Sequence, residues 1–468
     1  MTLISRLTDL LGAAHVLTGA DTAAYGREWT GAYHWQPLAV LRPANTEEVS
    51  KVLRIAFETA TPVVPVGGNT GLNGGTMAEG ALMLSLARLN RIRDINPAAR
   101  TLTAEAGVVL STLHDAAEAE GLAFPLTFGA KGSAMVGGFL STNAGGSNVV
   151  RHGNARALCL GLEVVLADGR VMNLMSALRK DNTGYDLRDL MIGAEGTLGV
   201  ITAAVLKLVP APKAYATALV AMDSLPEALA LLNEVQEASG GAVEAFEFMP
   251  AVYMTRLATC RPDLACPIVP GPVNILLEIA ATRPDQSLPD ADGTLPLTGQ
   301  LEALLGAALE AGRLHDATIA QTLAQRRHLW EMREAAAEIT LNRLPLVDTD
   351  IALPLDRVAE FLQRMAARLA HMDALAEEMI VAHLGDGNIH YTAYPSRNDP
   401  TLSATIRHAV AEEAVAMGGS FSAEHGVGVS KRATMAKFKD PVALSVMRAI
   451  KAALDPKGIL NPGKTIPD

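Results

Sequence analysis

Cysteine is nearly missing from this chain. Its 468 residues hold three, Cys159, Cys260 and Cys266, scattered and with no C-x-x-C pair. That pattern excludes a disulfide framework and a zinc–thiolate centre, and it points to a reducing compartment. Basic charge is also short: 39 Lys and Arg stand against 50 Asp and Glu, a net charge of −11. Nucleic-acid binders concentrate Lys and Arg, so no nucleic-acid partner is expected. No uncharged apolar run reaches the roughly 18 residues of a membrane-spanning helix, so no integral membrane segment is expected. Residues 1–20 lack the basic start and apolar core of a secretory signal, and a cytoplasmic protein is expected. Internal repeats and low-complexity stretches are absent as well. Aromatic residues make up only 4%, while 49% of the chain is hydrophobic, an ordinary balance for a globular protein.

What is present is enough chain for two or three cored domains. Asn45-Thr46-Glu47-Glu48 offers a helix cap, and Val49, Val52, Leu53, Ala56 and Phe57 follow at helical spacing. Pro62 to Val66 reads as a short buried strand running into a Gly-rich loop, and a helix is expected over 109–120. Leu158 to Ala167, the turn Asp168-Gly169, and Arg170 to Leu174 read as a β-hairpin. The apolar strand 198–209 stops at Pro210-Ala211-Pro212, the best domain boundary. Beyond it strands are expected at 215–222, 243–249, 273–281 and 346–353, with helices at 225–238, 298–311 and 319–342 and another running to Ala370. Arg283 to Pro296 reads as a polar loop. A paired-strand segment then carries two histidines. This βαβ-like middle suggests an α+β domain covering the first.

Glycines gather in four clusters. They are Gly67-Gly68-Asn69-Thr70-Gly71 running on to Gly74-Gly75, Gly129 to Ser133 with Gly137-Gly138, Asn143-Ala144-Gly145-Gly146, and Gly193 to Gly199. Backbone amides approach phosphate oxygens best where no Cβ intervenes, so such clusters suit a dinucleotide pyrophosphate. A single cluster is equally a tight turn; four within one domain are harder to dismiss. The Rossmann spacing is not met, because Asn69 stands where the second glycine belongs. Gly458 to Thr465 satisfies the P-loop pattern G-x-x-x-x-G-K-[ST], but no helix can follow before Asp468 and Pro462 removes an amide.

His383-Leu384-Gly385-Asp386-Gly387-Asn388-Ile389-His390 is followed 34 residues later by Glu424-His425. A turn at Asp386-Gly387-Asn388 can put both imidazoles on one face of a hairpin. Two imidazoles and a carboxylate suit Zn²⁺ or a similar divalent metal, with one imidazole left over as a base. Read alone, each histidine could equally be structural, and Asp386 a turn former.

The ordered glycine clusters, with Leu178 to Leu187, Gly193 to Thr202 and the closing Leu454 to Lys464, resemble the FAD-dependent D-2-hydroxyacid dehydrogenases of the vanillyl-alcohol-oxidase type. The likeness is close to the D-2-hydroxyglutarate branch, less close to the D-lactate branch, and spans nearly the whole chain. It implies an α+β fold: an N-terminal arm (1–36), a two-subdomain FAD-binding domain (37–212), an α+β substrate or cap domain (213–420), and a C-terminal segment (421–468) that returns to the FAD domain. By the same resemblance, Gly67, Gly68, Asn69, Thr70, Gly71 and Gly75 hold the pyrophosphate of a non-covalent FAD. Gly132, Ser133, Asn143, Gly145, Glu195, Gly196 and Ile201 line the flavin, and Asn461 returns to touch it. His383, His390 and Glu424 are implied as metal ligands, with Zn²⁺ expected. His425 is implied as the catalytic base, and Arg333, in Trp330-Glu331-Met332-Arg333-Glu334, as the arginine gripping the substrate carboxylate. On its own Arg333 also suits a surface ion pair on a charged helix.

The chemistry is coherent. Oxidising a secondary alcohol removes the hydroxyl proton and a hydride from one carbon. A metal lowers the alcohol's pKa, an imidazole accepts the proton, and flavin N5 accepts the hydride. Two departures bear on the substrate. Ala337 stands where a hydroxyl is expected, and Asp348 where a lysine would hold a distal carboxylate. D-2-hydroxyglutarate, D-lactate and D-malate all remain candidate substrates. The partners expected are such a small 2-hydroxy acid and an electron acceptor (an electron-transfer flavoprotein, a quinone or a cytochrome), with a homodimer as the expected assembly. Two rivals are an oxidase of the same fold using O₂ on another alcohol, and a metal hydrolase with a nucleotide-binding module. Colour separates the last: the purified protein should be yellow with flavin absorbance, and a colourless, metal-loaded protein would favour the hydrolase.

Overall fold

The computed structural model describes residues 1–291 and 293–468. The polar loop expected between Arg283 and Pro296 contains Asp292, which lies outside the described residues. Two compact units result. The first comprises Met1–Gly145, Gly153–Pro210 and Glu424–Asp468; the second comprises Gly146–His152 and Ala211–Ala423.

In the first unit a four-stranded sheet orders Val16–Leu17, Ala39–Leu41, Leu82–Ser85 and Val63–Val66, parallel except at the first pair. Asn45 caps the Thr46–Glu58 helix, its Oδ1 accepting from the Glu48 amide at 2.9 Å. That helix buries Val49, Val52, Leu53 and Ala56 beside Leu7 and Leu11 of the first helix. Val63–Val66 delivers the chain into the Gly-rich loop. Along its outer side lies the C-terminal segment: the Val63 amide donates to Ile459 O and the Asn461 amide to Val63 O, both at 2.8 Å. The apparent P-loop is therefore a strand-like clip. Asp455, 2% exposed, sets it by accepting from the Ile459 and Leu460 amides and from Lys451 Nζ.

A five-stranded antiparallel sheet makes the other layer, ordered Ile92–Asn96, Thr101–Glu105, Val200–Lys207, Cys159–Val165 and Val171–Leu174. The last pair is the expected hairpin, turned at Gly169 with φ +85°.

The second unit is built on one seven-stranded sheet. Its strands are β1 (Ala214–Met222), β2 (Val243–Pro250), β3 (Val273–Ala281), β4 (Asp316–Ile319), β5 (Val347–Ala352), β6 (Glu377–His383) and β7 (Asn388–Tyr394). They are ordered β4-β1-β3-β2-β6-β7-β5, with every neighbouring pair antiparallel. The βαβ expectation therefore appears in split form. β1 and β2 run parallel to one another with β3 inserted between them, as do β3 and β4 around β1, and β5 and β6 around β7. A crossover helix links each of these pairs.

Helices cover both faces. On one, the Leu225–Ser239, Pro296–Glu310, Val358–Met372 and Pro400–Ala416 helices meet a largely apolar surface that includes Phe246, Phe248, Leu277, Ile389 and Tyr391. On the other, the Ala251–Cys260 and Leu323–Glu334 helices meet Met249, Leu276, Met379 and Val381.

The single helix expected over 319–342 is not formed. Ile319 ends β4, held by pairing with Ala218. Thr322 and Gln325 then make a reciprocal capping box that starts a helix at Leu323. That helix closes at Glu334, and a second one covers Ala336–Leu341. Strand pairing and the T-x-x-Q cap overrode a continuous helical pattern.

All three cysteines are free thiols. Cys159 is 2% exposed, and burial pushes its thiol up to about 12. Since the thiolate is the reactive form, Cys159 should resist a thiol reagent at about pH 8 until the protein unfolds. The half-buried Cys260 and Cys266 should react first. The folded value lies above the unfolded one of about 8.5. The stability this thiol contributes is therefore full below that pH and lost as pH climbs towards 12, a loss that Cys159→Ala should remove. Thiol titration with and without denaturant, and unfolding curves across that range, check both.

Candidate active site

The hairpin of β6 and β7 positions the two histidines. His383 ends β6 opposite Asn388, and His390 lies on β7 opposite Val381, so the histidines are diagonal neighbours on one face. Their ring centroids are 5.3 Å apart and nearly perpendicular. The turn between them depends on Gly387, with φ +82°, where a Cβ would come within 2.2 Å of Leu353 O. Asp386 serves that turn: its Oδ1 accepts from the Asn388 amide at 3.1 Å.

Three further side chains on this face were not anticipated. Glu247, 1% exposed, lies on β2 directly opposite His383. His383 Nδ1 sits 2.9 Å from its Oε1 and 2.8 Å from its Oε2, and Arg333 Nε is 2.8 Å from the same Oε2. Burial by itself would push the Glu247 carboxyl up; the charges and hydrogen bonds of His383 and Arg333 outweigh that and hold it below the usual carboxylate range. Asp350, 1% exposed, lies on β5 opposite His390 and accepts from Asn388 Nδ2 at 2.8 Å. Asn388 is the third: its Nδ2 also donates to Ile351 O at 3.0 Å. One ligand atom from each of His383 and His390 lies within 4.8 Å of the other, and the same holds for Asp350 and His390.

Arg333 is no surface residue. Its side chain is 10% exposed, and its Nη2 is buried with no hydrogen-bond partner among the described residues. Tyr253 Oη donates to Met332 O at 2.5 Å and fixes the backbone beside it. A buried guanidinium whose Nε stands at ion-pair distance from Glu247, with Nη2 making no hydrogen bond among the described residues, suits a planar anion such as a carboxylate. Asp348 is exposed at the start of β5, where its Oδ1 accepts from Thr392 Oγ1 at 2.8 Å.

Glu424 and His425 begin the last stretch of the first unit. Glu424 follows Ala423, whose amide donates to Asp350 Oδ2 at 3.2 Å. In the first unit Asn73 and Glu195 are among the residues that hold their loop. Asn73 Nδ2 donates to His425 O at 2.9 Å and to Gly426 O at 2.8 Å. Glu195 accepts from the Val427 and Gly428 amides, each at 2.8 Å. Burial pushes the Glu195 carboxyl above its usual range, and those two amides oppose the shift.

The glycine clusters meet in the same unit. Gly68 packs so tightly on the next cluster that a Cβ would fall 1.9 Å from Ser133 O, while Gly67 abuts Gly138. At Gly71 and Gly132 an added Cβ would meet nothing within 4 Å. Asn461 joins Gly75 to Glu195, its Nδ2 donating to both carbonyls at 3.0 and 2.7 Å, while its Oδ1 is buried without a partner among the described residues. Gly196 lies beside Pro65 and Asn461. Asn69 closes its own loop, donating to Arg27 O and accepting from Thr76 Oγ1; Thr70 O accepts from Trp29 Nε1. Asn143 caps a helix and accepts from the Arg156 amide, next to the buried Gly145. Ile201 points into the core from its strand. Open space over the glycines and an orphaned buried amide oxygen fit a bound dinucleotide.

The fold and these sites together define an FAD-linked oxidoreductase. A family model described as the FAD binding domain matches residues 37–175, and one described as the C-terminal domain of FAD linked oxidases matches 211–465. The chain belongs to this family of FAD-linked oxidases. Among curated relatives, mitochondrial D-2-hydroxyglutarate dehydrogenase of Bos taurus is 38% identical over 94% of this chain and 79% of its own. D-2-hydroxyglutarate dehydrogenase of Xanthomonas citri pv. viticola is 36% identical over 95% and 92%. Among solved structures, p-cresol methylhydroxylase with substrate bound matches with a TM-score of 0.75 at 17% identity, covering 100% of this chain and 96% of its own. Alkyldihydroxyacetonephosphate synthase matches at 0.69 and 14%, covering 98% and 84%. These two share the fold. No helix among the described residues is long and apolar enough to cross a membrane.

Asn73 is the most specific support of the His425 loop. Asn73→Ala should cost about 1–3 kcal/mol of stability and raise hydrogen exchange at Val427, Gly428 and Val429 while leaving β6 and β7 protected. Exchange read by mass spectrometry checks it.

Proposed function

We propose that the protein oxidises a D-2-hydroxy acid to the 2-oxo acid. FAD and a divalent metal would serve as cofactors, with Zn²⁺ the first ion to try and manganese and iron equally open to the donor set. The observation that carries the reading is the buried chain Arg333–Glu247–His383. It sets a guanidinium suited to an anion beside an imidazole whose Nδ1 faces a carboxylate, so a metal would be taken through Nε2, the other ring nitrogen. Metal-binding histidines characteristically donate their other ring N–H to a carboxylate, so the donor set fits. His383, His390 and Glu424 would hold the metal. Gly67, Gly68, Asn69, Thr70, Gly71 and Gly75 would hold the FAD pyrophosphate, with Gly132, Ser133, Asn143, Gly145, Glu195, Gly196, Ile201 and Asn461 around the flavin.

When bound, FAD supplies a two-electron acceptor and the metal a Lewis acid. The side chains do the rest. Arg333 grips the substrate carboxylate and so fixes which hydrogen of the carbinol carbon is presented. His425 accepts the hydroxyl proton, leaving the carbonyl oxygen of the 2-oxo acid. An electron acceptor, an electron-transfer flavoprotein, a quinone or a cytochrome, would be the second partner. Three free thiols support a reducing compartment such as the cytoplasm.

The relatives are named for D-2-hydroxyglutarate, and that acid is the first substrate to try. Asp348 favours a shorter acid: its carboxylate stands on the strand of Asp350 and on the same face, where a second substrate carboxylate would be repelled. D-lactate and D-malate therefore complete the panel.

Anaerobic stopped-flow bleaching of the flavin with each D-acid and its L enantiomer tests the reading. One D-acid should bleach rapidly and its enantiomer should not; no bleaching by any would remove the substrate class. His425→Ala should slow reduction about 10²–10⁴-fold with FAD retained, and an unchanged rate would remove the base. Asp348→Lys should shift the preference at least about tenfold towards dicarboxylates, the size of a modest charge effect.

A further inference from the structure

The buried carboxylate of Glu247 touches both limbs of the proposed site, His383 and Arg333. It lies on β2, one strand away from His383 and across from the Leu323–Glu334 helix that carries Arg333. Its two oxygens straddle His383 Nδ1 at 2.9 and 2.8 Å, and Oε2 alone reaches Arg333 Nε at 2.8 Å. The carboxylate can only accept, so the imidazole presents a proton on Nδ1 to it, and Nε2 is the other ring nitrogen. The guanidinium is fixed through Nε, with the edge bearing Nη2 left over. Neither side chain could hold its position through the other, because both are donors.

We propose that Glu247 is a positioning residue that couples metal binding to substrate-carboxylate binding. It orients the His383 ring for the metal and the Arg333 fork for the 2-hydroxy acid through one shared anion. The coupling has a direction in charge as well as in geometry. A metal on His383 strengthens the imidazole's donation to Glu247, because the coordinated ring is more acidic. Glu247 then shares less of its negative charge with Arg333, which is left more strongly positive towards the substrate anion. Metal should tighten carboxylate binding, and a carboxylate ligand should tighten metal binding by the same factor.

This inference rests on the metal-and-hydroxy-acid reading above, and the test keeps the two apart. Zn²⁺ affinity is measured by chelator competition on metal-stripped, FAD-loaded protein, with and without the 2-oxo acid product as a non-reacting ligand. The wild type should bind one Zn²⁺ and bind it more tightly with the 2-oxo acid present. Glu247→Gln keeps the shape and one acceptor oxygen but removes the charge. It should weaken Zn²⁺ about 10–100-fold, the usual effect of losing such a partner, raise KM for the hydroxy acid more than it lowers kcat, and abolish the mutual enhancement. FAD content should not change. Glu247→Asp, should the glutamine variant fold poorly, should lose affinity for both ligands yet keep part of their coupling. Wild-type protein that binds no Zn²⁺ would sink the metal reading and the inference with it. Wild-type Zn²⁺ binding matched by Glu247→Gln, or Zn²⁺ and 2-oxo acid binding independently in the wild type, would overturn the inference and leave the reading standing.

Discussion

A carboxylate with 1% exposure in the middle of a sheet is the constraint from which the second unit's chemistry follows. An isolated buried anion would be intolerable, so Glu247 requires cationic or donor partners, and they require it. Removing one member of such a buried set costs about 3–5 kcal/mol, because the others are left uncompensated. Glu278 repeats the arrangement one strand over. It accepts from Arg326 Nε and Nη2 at 2.7 Å, from Trp330 Nε1 at 2.9 Å and from Thr217 Oγ1 at 2.5 Å. Arg326, Trp330 and Arg333 stand at i, i+4 and i+7 of one helix and therefore share a face. Two buried glutamates on neighbouring strands thus pin that helix at two heights, and the second pin sets the reach of Arg333.

Strand parity explains why these groups meet. Along β2, Phe246 and Phe248 face the apolar layer, while Glu247 and Met249 face the Leu323–Glu334 helix. The same alternation sends Ile389 and Tyr391 one way and His390 the other, and Ile351 one way and Asp350 the other. A slip of one residue in any of these strands would place its polar group in the largely apolar layer. That penalty makes register self-correcting, so the functional face and the foldable face are specified together.

This logic also decides what could be read beforehand. The His383–His390 hairpin was legible because its turn residues and ligand types are local in sequence. The FAD-binding domain was legible because its glycine clusters lie close together in sequence, and the strands expected at 215–222 and 273–281 because mostly apolar runs leave little choice. Glu247 was not legible. β2 carries two acids, Glu244 and Glu247, among apolar residues, and nothing local distinguishes the second or shows that its partners lie 86 and 136 positions away. Asp350 was hidden likewise within a strand remarked on only for Asp348. The helix over 319–342 failed for a different reason: the pairing of β4 with β1 is a long-range contact, and the Thr322–Gln325 cap that marks the true start was overlooked.

Backbone strain in the first unit carries a matching message. Among the described residues seven non-glycines have positive φ, and four of them, Asn69, Asn143, Glu195 and Asn461, fall at positions implied to face the cofactor. Glycine would relieve each, since a left-handed conformation costs an ordinary L-residue roughly 1–2 kcal/mol. Glycine is not there because each of the four side chains makes a bond that glycine could not. Asn69 closes its loop on Arg27 and Thr76, Asn143 holds the Arg156 amide, Asn461 ties Gly75 to Glu195, and Glu195 seizes the two amides that follow Gly426. At about 0.5–1.5 kcal/mol per bond the exchange is close to neutral in stability. What it contributes is definition: side-chain bonds restrict these loops, and a loop already restricted spends less binding free energy in being ordered. The glycines beside them supply close approach, and the strained asparagines and glutamate supply rigidity. A cofactor held by backbone amides needs both.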